Sequence, residues 1–365
     1  MYIPEFEKYI KTEEPSVRDR ANNWRTAIGL QAVDQLTVSD FLKQTAQQHI
    51  EGQITIDEAE KRLKAYYRAK ETRLPDDDEK EEADIVSLNI QRLLGEQSFT
   101  FSVAGFAAIH RQIFKGVFKH AGQFRDYDFT KKEWVLEGDT VLYGRWSELQ
   151  RTLAYDLEQE KQFDYTNLAL PEAIGHIADF VAGIWQIHPF PEGNTRTTAI
   201  FTIKYLRSIG FHQIDNGLFE QHSWYFRNAL VRANYRNVAK SVNPDNSFLV
   251  AFLRDLLLGE QIPLRNRDMH IGLVPLQSAT ISAQSAIQSA NHAENVLSKC
   301  KNCTLAEMSV LRIVQQNPSA TQKQIAAQIG KSERTVKTIT VTLTQKGILA
   351  RRKGKRNGYW EIIAE

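Results

Sequence analysis

The sequence predicts a mainly α protein: a helical core carrying one small β-hairpin, followed by a C-terminal winged helix domain. Three observations support this. Apolar residues recur at helical spacing through most of the chain, as in AIGHIADFVAGIWQI, Ala173 to Ile187. Capping residues and glycine stops punctuate those segments. The charge also changes sign near residue 300. Lys301 to Glu365 hold 12 Lys+Arg and 4 Asp+Glu, a local +8, while the 300 residues before them sum to −6. A basic tail on an acidic body points to a polyanionic partner for the tail.

Composition excludes several classes. A chain of 365 residues accommodates two or three domains, and 42% apolar with 25% charged residues suits a globular protein in water. No run approaches the length of a membrane span, and the opening MYIPEFEKYIKTEE lacks a signal-peptide pattern. A cytoplasmic protein with no membrane partner is expected. Cys300 and Cys303 form one CxxC, too few ligands for a structural zinc site, and are expected to be two reduced thiols.

In chain order, residues 1–75 read as a module of helices. Ser39 or Thr37 caps one, Gly52 ends it, and Thr55 opens the next with a capping box. Leu74 to Asp84, LPDDDEKEEAD, reads as a solvated charge block, a linker or the start of a helix. Residues 85–262 form the core. Within it Trp134-Val135-Leu136 and Thr140 to Tyr143 flank Glu-Gly-Asp, the pattern of a short hairpin. DNSFLVAFLRDLLLG closes the core at Gly259, and residues 263–300 read as a small, polar connecting segment that could be helical.

The chemistry concentrates in HPFPEGNTR, His188 to Arg196. Pro189 and Pro191 keep the stretch out of regular helix, so a tight loop opens into the helix TRTTAIFTIKYLRSIG. Gly193 and Asn194 sit where a helix N-terminus favours an anion, and Arg196 can clamp phosphate oxygens bidentately. Glu192 is a hard carboxylate suited to Mg²⁺ on a polyphosphate. His188 has the chemistry of a general base toward a hydroxyl.

This stretch resembles the signature of the Fic family, HxFx[DE]GNGRxxR. His188, Phe190, Glu192, Gly193, Asn194 and Arg196 match; Thr195 stands for a glycine and Ala199 for the second arginine. The resemblance implies a helical fold that transfers AMP from ATP, with Mg²⁺, to a protein hydroxyl. It implies catalysis by His188, and ATP binding by Glu192, Gly193, Asn194, Thr195 and Arg196, with Glu192 on the metal. KHAGQFR matches the family's start-of-core segment, with Arg125 in place. Phe226 and Asn234, with Tyr225, fall where the family places its nucleobase pocket. The hairpin corresponds to the family's flap, in which Trp134, Val135 and Leu136 would offer an edge to the target protein by β-augmentation. Residues 1–75 resemble the family's small inhibitory module, with Asp34 as the preferred inhibitory acid and Glu51 as the competing one.

The tail has its own organisation. Two short helices with a tight turn at Gly330, then a basic two-stranded wing, resemble a winged helix-turn-helix over 301–365. Ser332, Arg334, Thr335, Lys337 and Thr338 would face a major groove, and the wing run from Arg351, Arg352 and Lys353 to Arg356 would meet phosphates. Two functions follow from the sequence: a protein adenylyltransferase, itself among its own targets, or a DNA-binding regulator whose body senses nucleotide. A homodimer is one open assembly state.

Overall fold

Side-chain caps set six of the described helix starts, those of the helices that begin after Ser39, Thr55, Ser102, Thr304, Thr321 and Ser332. The computed structural model describes every residue except 1–2, 13, 71, 73, 166–167, 212–213, 215–216, 274–302, 354–357 and 364–365. The N-terminal helices are α1 (Glu7–Ile10), α2 (Pro15–Gly29), α3 (Asp40–Ile50) and α4 (Ile56–Arg68). Ser39 caps α3, and Thr55 with Glu58 closes a capping box on α4. Trp24, Ile28, Leu42, Ile50 and Leu63 form a hydrophobic core of their own with Leu88 of the next helix, α5 (Asp77–Gly95).

Of the readings open for the charge block the helix start holds, since α5 begins at Asp77; Asp76, Asp78 and Glu79 are exposed, but the block is not solvated throughout. Asp77 and Asp84 are buried. Asp84 accepts hydrogen bonds from the Ser39 N–H at 2.9 Å, the Ser39 hydroxyl and the Tyr67 hydroxyl, and so joins α3, α4 and α5. Three donors explain why a carboxylate lies so deep; burial still pushes its carboxyl up to about 6.

The body comprises α6 (Val103–Ile113), α7 (Leu149–Gln162), α8 (Leu170–Ile187), α9 (Asn194–Ser208), α10 (Gly217–Asn234, kinked at His222) and α11 (Ser247–Leu258). Every residue of α9 from Asn194 to Leu206 is buried, so this helix is the axis of the core. The N-terminal helices pack onto α10. Gly29 lies so close that a Cβ there would stand 2.2 Å from the Glu220 Cα. Arg25 and Glu220 form a buried ion pair at this contact, and the Ser223 hydroxyl donates to the Gly29 carbonyl at 2.9 Å.

The expected hairpin is absent. Trp134–Leu136 form a 3-10 turn, and the sheet described is in the tail. Val135 and Leu136 are consecutive and both buried, which a strand with alternating faces does not allow. Left-handed Glu137 and Gly138 close the turn, with the Gly138 N–H on the Glu133 carbonyl.

The tail contains α12 (Leu305–Gln316), α13 (Gln322–Ile329) and α14 (Glu333–Gln345), then β1 (Leu349–Arg352) antiparallel to β2 (Tyr359–Ile362) in the register Leu349↔Ile362. Thr304 and Thr321 close capping boxes on α12 and α13. The Trp360 indole donates to the Ala320 carbonyl at 3.0 Å, fixing the wing to the helices. The Leu170 N–H donates to the Cys303 carbonyl at 3.0 Å, joining the tail to the start of α8. Cys303 is disulfide-bonded, against the expectation of reduced thiols. Cys300 and most of the connecting segment lie outside the described residues. No described helix is long and apolar enough to cross a membrane.

Asp84→Ala would strand three donors and should cost about 2–3 kcal/mol in urea unfolding. The folded value of about 6 exceeds the ordinary 3.8. The folded state therefore binds more protons, and the stabilisation is fully present below the lower value and lost as pH rises through the upper one. The gap between wild type and Asp84→Ala should widen as pH falls from 7 to 4; a narrowing gap would contradict the assignment.

Candidate active site

The loop between α8 and α9 is held from several sides. His188 is the C-cap of α8 in the left-handed region, φ 50°, a conformation that costs a non-glycine residue about 1 kcal/mol or more. Its N–H donates to the Trp185 carbonyl at 3.1 Å. Arg125, wholly buried, donates from Nε to the His188 carbonyl at 2.8 Å and from Nη2 to the Gly144 carbonyl. The Asn194 side chain closes the loop on itself: Oδ1 accepts from the Phe190 N–H at 3.0 Å and Nδ2 donates to the Phe190 carbonyl at 2.8 Å. Asn194 thus shapes the cradle with its side chain and offers a ligand only its backbone. His110 stacks on Phe190 with ring centroids 3.8 Å apart, lies 3.1 Å from the Glu192 carbonyl through Nε2, and accepts the Gly122 N–H through Nδ1.

Gly193 is the N-cap of α9 at φ 71°, and a Cβ there would stand 2.2 Å from the Phe114 ring. Only glycine fits. The first-turn N–H groups of α9 have no intrahelical partners, and this end of the dipole favours an anion. Thr195 accepts the Trp185 indole N–H at 3.0 Å, which leaves its own hydroxyl proton to donate. Glu192 is exposed at the same loop. These groups fit a polyphosphate with a divalent cation: a cradle without room for a Cβ, a hydroxyl donor, a guanidinium and a hard carboxylate.

His188 is 3% exposed. Its Nδ1 lies 3.3 Å from the Trp185 carbonyl, so the ring proton belongs on Nδ1 and the lone pair on Nε2. Nε2 is buried without a partner. The ring stacks on Tyr143 with centroids 4.0 Å apart and 26° between planes, and meets Trp185 and Phe129 at 5.1 and 5.7 Å. Burial in this aromatic shell, helped by nearby Lys131, holds the imidazole well below its usual range. It is neutral near pH 7 and able to take a proton.

Arg196 is 2% exposed, over the Phe114 ring, and its acceptors come from the N-terminal helices. Nη1 donates to Gln31 Oε1 at 3.0 Å and Nη2 to Glu82 Oε1 at 3.1 Å. Nε lies 2.9 Å from Asp34 Oδ2, off the N–H axis, so this contact is an ion pair rather than an aligned hydrogen bond. Asp34 lies in the 3-10 turn Leu30–Asp34. Glu51 is elsewhere: its carboxylate meets Tyr9, Gln47, Gln53 and Lys8 at the surface of the N-terminal helices. Ala199, where a second arginine would stand, is buried in α9. Sequence reasoning missed Glu82 because it sits in the charge run, where an acid with a distant partner looks like its solvated neighbours.

Residues 125–144, termed the flap arm because they hold the position that the resemblance gives to the flap, reach over His188 through Phe129 and Tyr143. Buried Glu133 pairs with Arg227 at 2.9 Å and meets the Tyr143 hydroxyl at 3.4 Å. Asp139 accepts from the Tyr235 hydroxyl at 2.6 Å. The Trp134–Leu136 edge is not free for a target strand, because the Val135 carbonyl already accepts the Ile271 N–H at 2.9 Å. Trp134 is half exposed and packs edge-on to His270. Phe226 is a core residue, fully buried against Phe219 and Phe252, and is not among the residues that line the pocket beside Asn234. Asn234 donates to the Ala182 carbonyl at 2.9 Å and lines a pocket of about 250 Å³ with Thr140, Leu142, Gln186, Tyr235 and Arg236.

In the tail, Ser332 caps α14, and its hydroxyl lies 2.8 Å from that of Thr335, so both serve the helix start. Arg334, Lys337 and Thr338 are exposed at helical spacing on one face of α14. Arg351 lies over the Trp360 ring, Arg352 pairs with Glu361, and Lys353 is exposed. Lys355 and Arg356 lie outside the described residues.

Residues 100–206 match the model of the Fic/DOC family, and residues 306–350 match the winged helix-turn-helix DNA-binding model. Among solved structures, the chain is similar to a Fic family protein from Desulfovibrio desulfuricans G20. The identity is 12% and the TM-score 0.44, over 100% of this chain and 98% of that one. No curated protein matches the chain.

Burial pushes His49 down to about 4 and His110 to about 3, and holds His188 well below 6.5. In each case the unfolded state binds more protons below about 6.5, so the stability is present above that value and lost as pH falls. The urea midpoint should drop between pH 6.5 and 5, as the depressed histidines, His222 included, act against the raised carboxyls of Asp84, Glu133, Asp156 and Glu220. A midpoint that rises over this window would refute the neutral assignment.

Proposed function

We propose that this chain, with its Fic domain at residues 100–206, is a protein adenylyltransferase held in check by its own N-terminal helices. It would transfer AMP from ATP to a Ser, Thr or Tyr hydroxyl of a target protein, itself included. The observation that carries this reading is His188: a neutral imidazole with an unpartnered Nε2, on the loop that also carries a phosphate cradle and a guanidinium. A body that only sensed nucleotide would need the cradle but not the base.

In this reading the first turn of α9, the Thr195 hydroxyl and Arg196 hold the phosphates, and Glu192 would hold Mg²⁺, which when bound neutralises phosphate charge. The pocket beside Asn234 is smaller than one for a whole drug-sized ligand and suits a nucleobase. The target hydroxyl oxygen attacks the α-phosphorus while its proton passes to His188 Nε2. The α–β P–O bond breaks and pyrophosphate leaves. Because Nε2 is sealed from solvent, the hydroxyl can reach it only by displacing part of the shell around it.

Self-inhibition rests on Arg196. Its three nitrogens face Gln31, Asp34 and Glu82, so a phosphate must displace at least one of them. The tail is proposed to bind duplex DNA through the exposed face of α14 and the wing, as its charge and its family match suggest.

With ATP labelled at the α-phosphate, His188→Ala should lower protein labelling by about 100-fold or more while ATP affinity stays within about twofold, because a base acts in the rate. Asp34→Ala and Glu82→Ala should each raise labelling several-fold, and Glu51→Ala should not. Labelling by His188→Ala at the wild-type rate would overturn the base assignment.

For the tail, gel shifts of the full chain on duplex DNA should weaken steeply with salt. Arg351→Ala with Arg352→Ala should weaken binding about equally on all sequences, whereas Arg334→Ala should act mainly on one preferred sequence. Absence of any shift at low salt would make the winged helix a protein-docking surface.

A further inference from the structure

An imidazole used as a base must hold its lone pair in a fixed direction, and one hydrogen bond does not fix a ring against rotation about Cβ–Cγ. His188 has one, a long 3.3 Å contact from Nδ1 to the Trp185 carbonyl. What else holds the plane is aromatic. Tyr143 covers one face with 4.0 Å between centroids and 26° between planes. Trp185 meets the ring edge-on, 88° between planes. Tyr143 is in turn anchored: its hydroxyl faces Glu133, and Glu133, buried in the body, is held by Arg227 of α10 through both carboxylate oxygens at 3.0 and 2.9 Å. The other charges near the ring, Arg125 and Lys131, do not serve this purpose. Arg125 is engaged by backbone carbonyls, and Lys131 lies over Phe129.

We infer that Tyr143, anchored by the buried Glu133–Arg227 pair, is a positioning residue that fixes the plane and tautomer of His188. The geometry favours this over a blocking role. A stacked ring covers a face, whereas the Nε2 lone pair lies in the ring plane, so a hydroxyl can approach the edge while Tyr143 keeps its place. Tyr143 belongs to the flap arm. The orientation of the base therefore depends on the flap being seated, and a displaced flap would leave His188 free to rotate and to exchange tautomers.

The inference rests on the proposed reading for what the base does, but its structural half can be measured without transfer. In full-length protein labelled with ¹⁵N-histidine, long-range ¹⁵N–¹H correlation reads the protonation of each His188 nitrogen, assigned by comparison with His188→Gln. Wild type should show one proton on Nδ1 and a bare Nε2, unchanged from pH 8 to 6. Tyr143→Phe, which keeps the stacked ring but loses the hydroxyl contact to Glu133, should lie between wild type and the variants that lose the ring. Tyr143→Leu should show averaged tautomers and a titration moved up toward that of an ordinary histidine. Its kcat should fall about tenfold with KM for ATP within about twofold, the mark of a base misplaced rather than a nucleotide lost. Tyr143→Met, of about the same volume as leucine but longer and more adaptable in shape, serves if the leucine variant does not fold. A proton on Nε2 in wild type, or a fixed Nδ1 tautomer in both the leucine and methionine variants, would overturn the inference. Expected tautomers with no AMP transfer by any variant would instead count against the enzyme reading and leave the positioning role standing.

Discussion

A guanidinium buried to 2% exposure has to find acceptors, and the arrangement around Arg196 follows from that requirement. An unpaired buried charge costs several kcal/mol, and the acceptors closest in sequence are committed elsewhere: the Phe190 carbonyl to Asn194, and the Glu192 carbonyl to His110. The acceptors that remain lie more than 100 residues away, on the 3-10 turn after α2 and on α5. Docking of the N-terminal helices and neutralisation of Arg196 are therefore one event. A phosphate at the start of α9 would compete with Asp34 and Glu82 for the same cation, and such competition is reciprocal: whatever loosens the helices strengthens phosphate binding, and the reverse. Ala199 makes this dependence sharper, because the motif supplies no second arginine to share the phosphate charge.

The base is governed by a different constraint. His188 sits in a left-handed conformation between the end of α8 and Pro189, and Arg125 ties its carbonyl to the backbone of the flap arm at Gly144. The same arm returns through Tyr143 to cover the imidazole. Backbone and ring are thus both held by residues of the 125–144 segment, whose own position depends on Arg227 and Tyr235 of the body and on Ile271 beyond it. Arg196 is thus engaged by the N-terminal helices and α5, and His188 by the 125–144 segment.

Much of this was legible because it is local. Caps at Ser39 and Thr55 fix helix starts within three residues, and Gly193 and the prolines define the loop within nine. Asp34 could be singled out because the resemblance fixed its spacing. What failed was long-range. Trp134–Leu136 have strand-forming residues, but Glu133 is drawn inward by Arg227, 94 residues away, and the segment folds into a turn. Phe226 has the spacing of a pocket residue and the surroundings of a core residue, and periodicity does not separate the two. Glu82 and Asp84 sit in a run of acids whose sequence looks solvated throughout; only their partners, Arg196 for the half-buried Glu82 and Ser39 with Tyr67 for the buried Asp84, mark them as engaged. His110 and Tyr143 act through stacking, which leaves no local signature.

The most direct test of the central claim separates nucleotidyl from phosphoryl transfer in protein whose Arg196 has been released. Asp34→Ala/Glu82→Ala protein is incubated with Mg²⁺ and ATP labelled at either the α- or the γ-phosphate, alone and with lysate. Acid-stable label should appear on protein from the α-position, with release of pyrophosphate and none of the γ-label retained. Label transferred from the γ-position, or no transfer from either position while ATP is bound, would contradict adenylyl transfer.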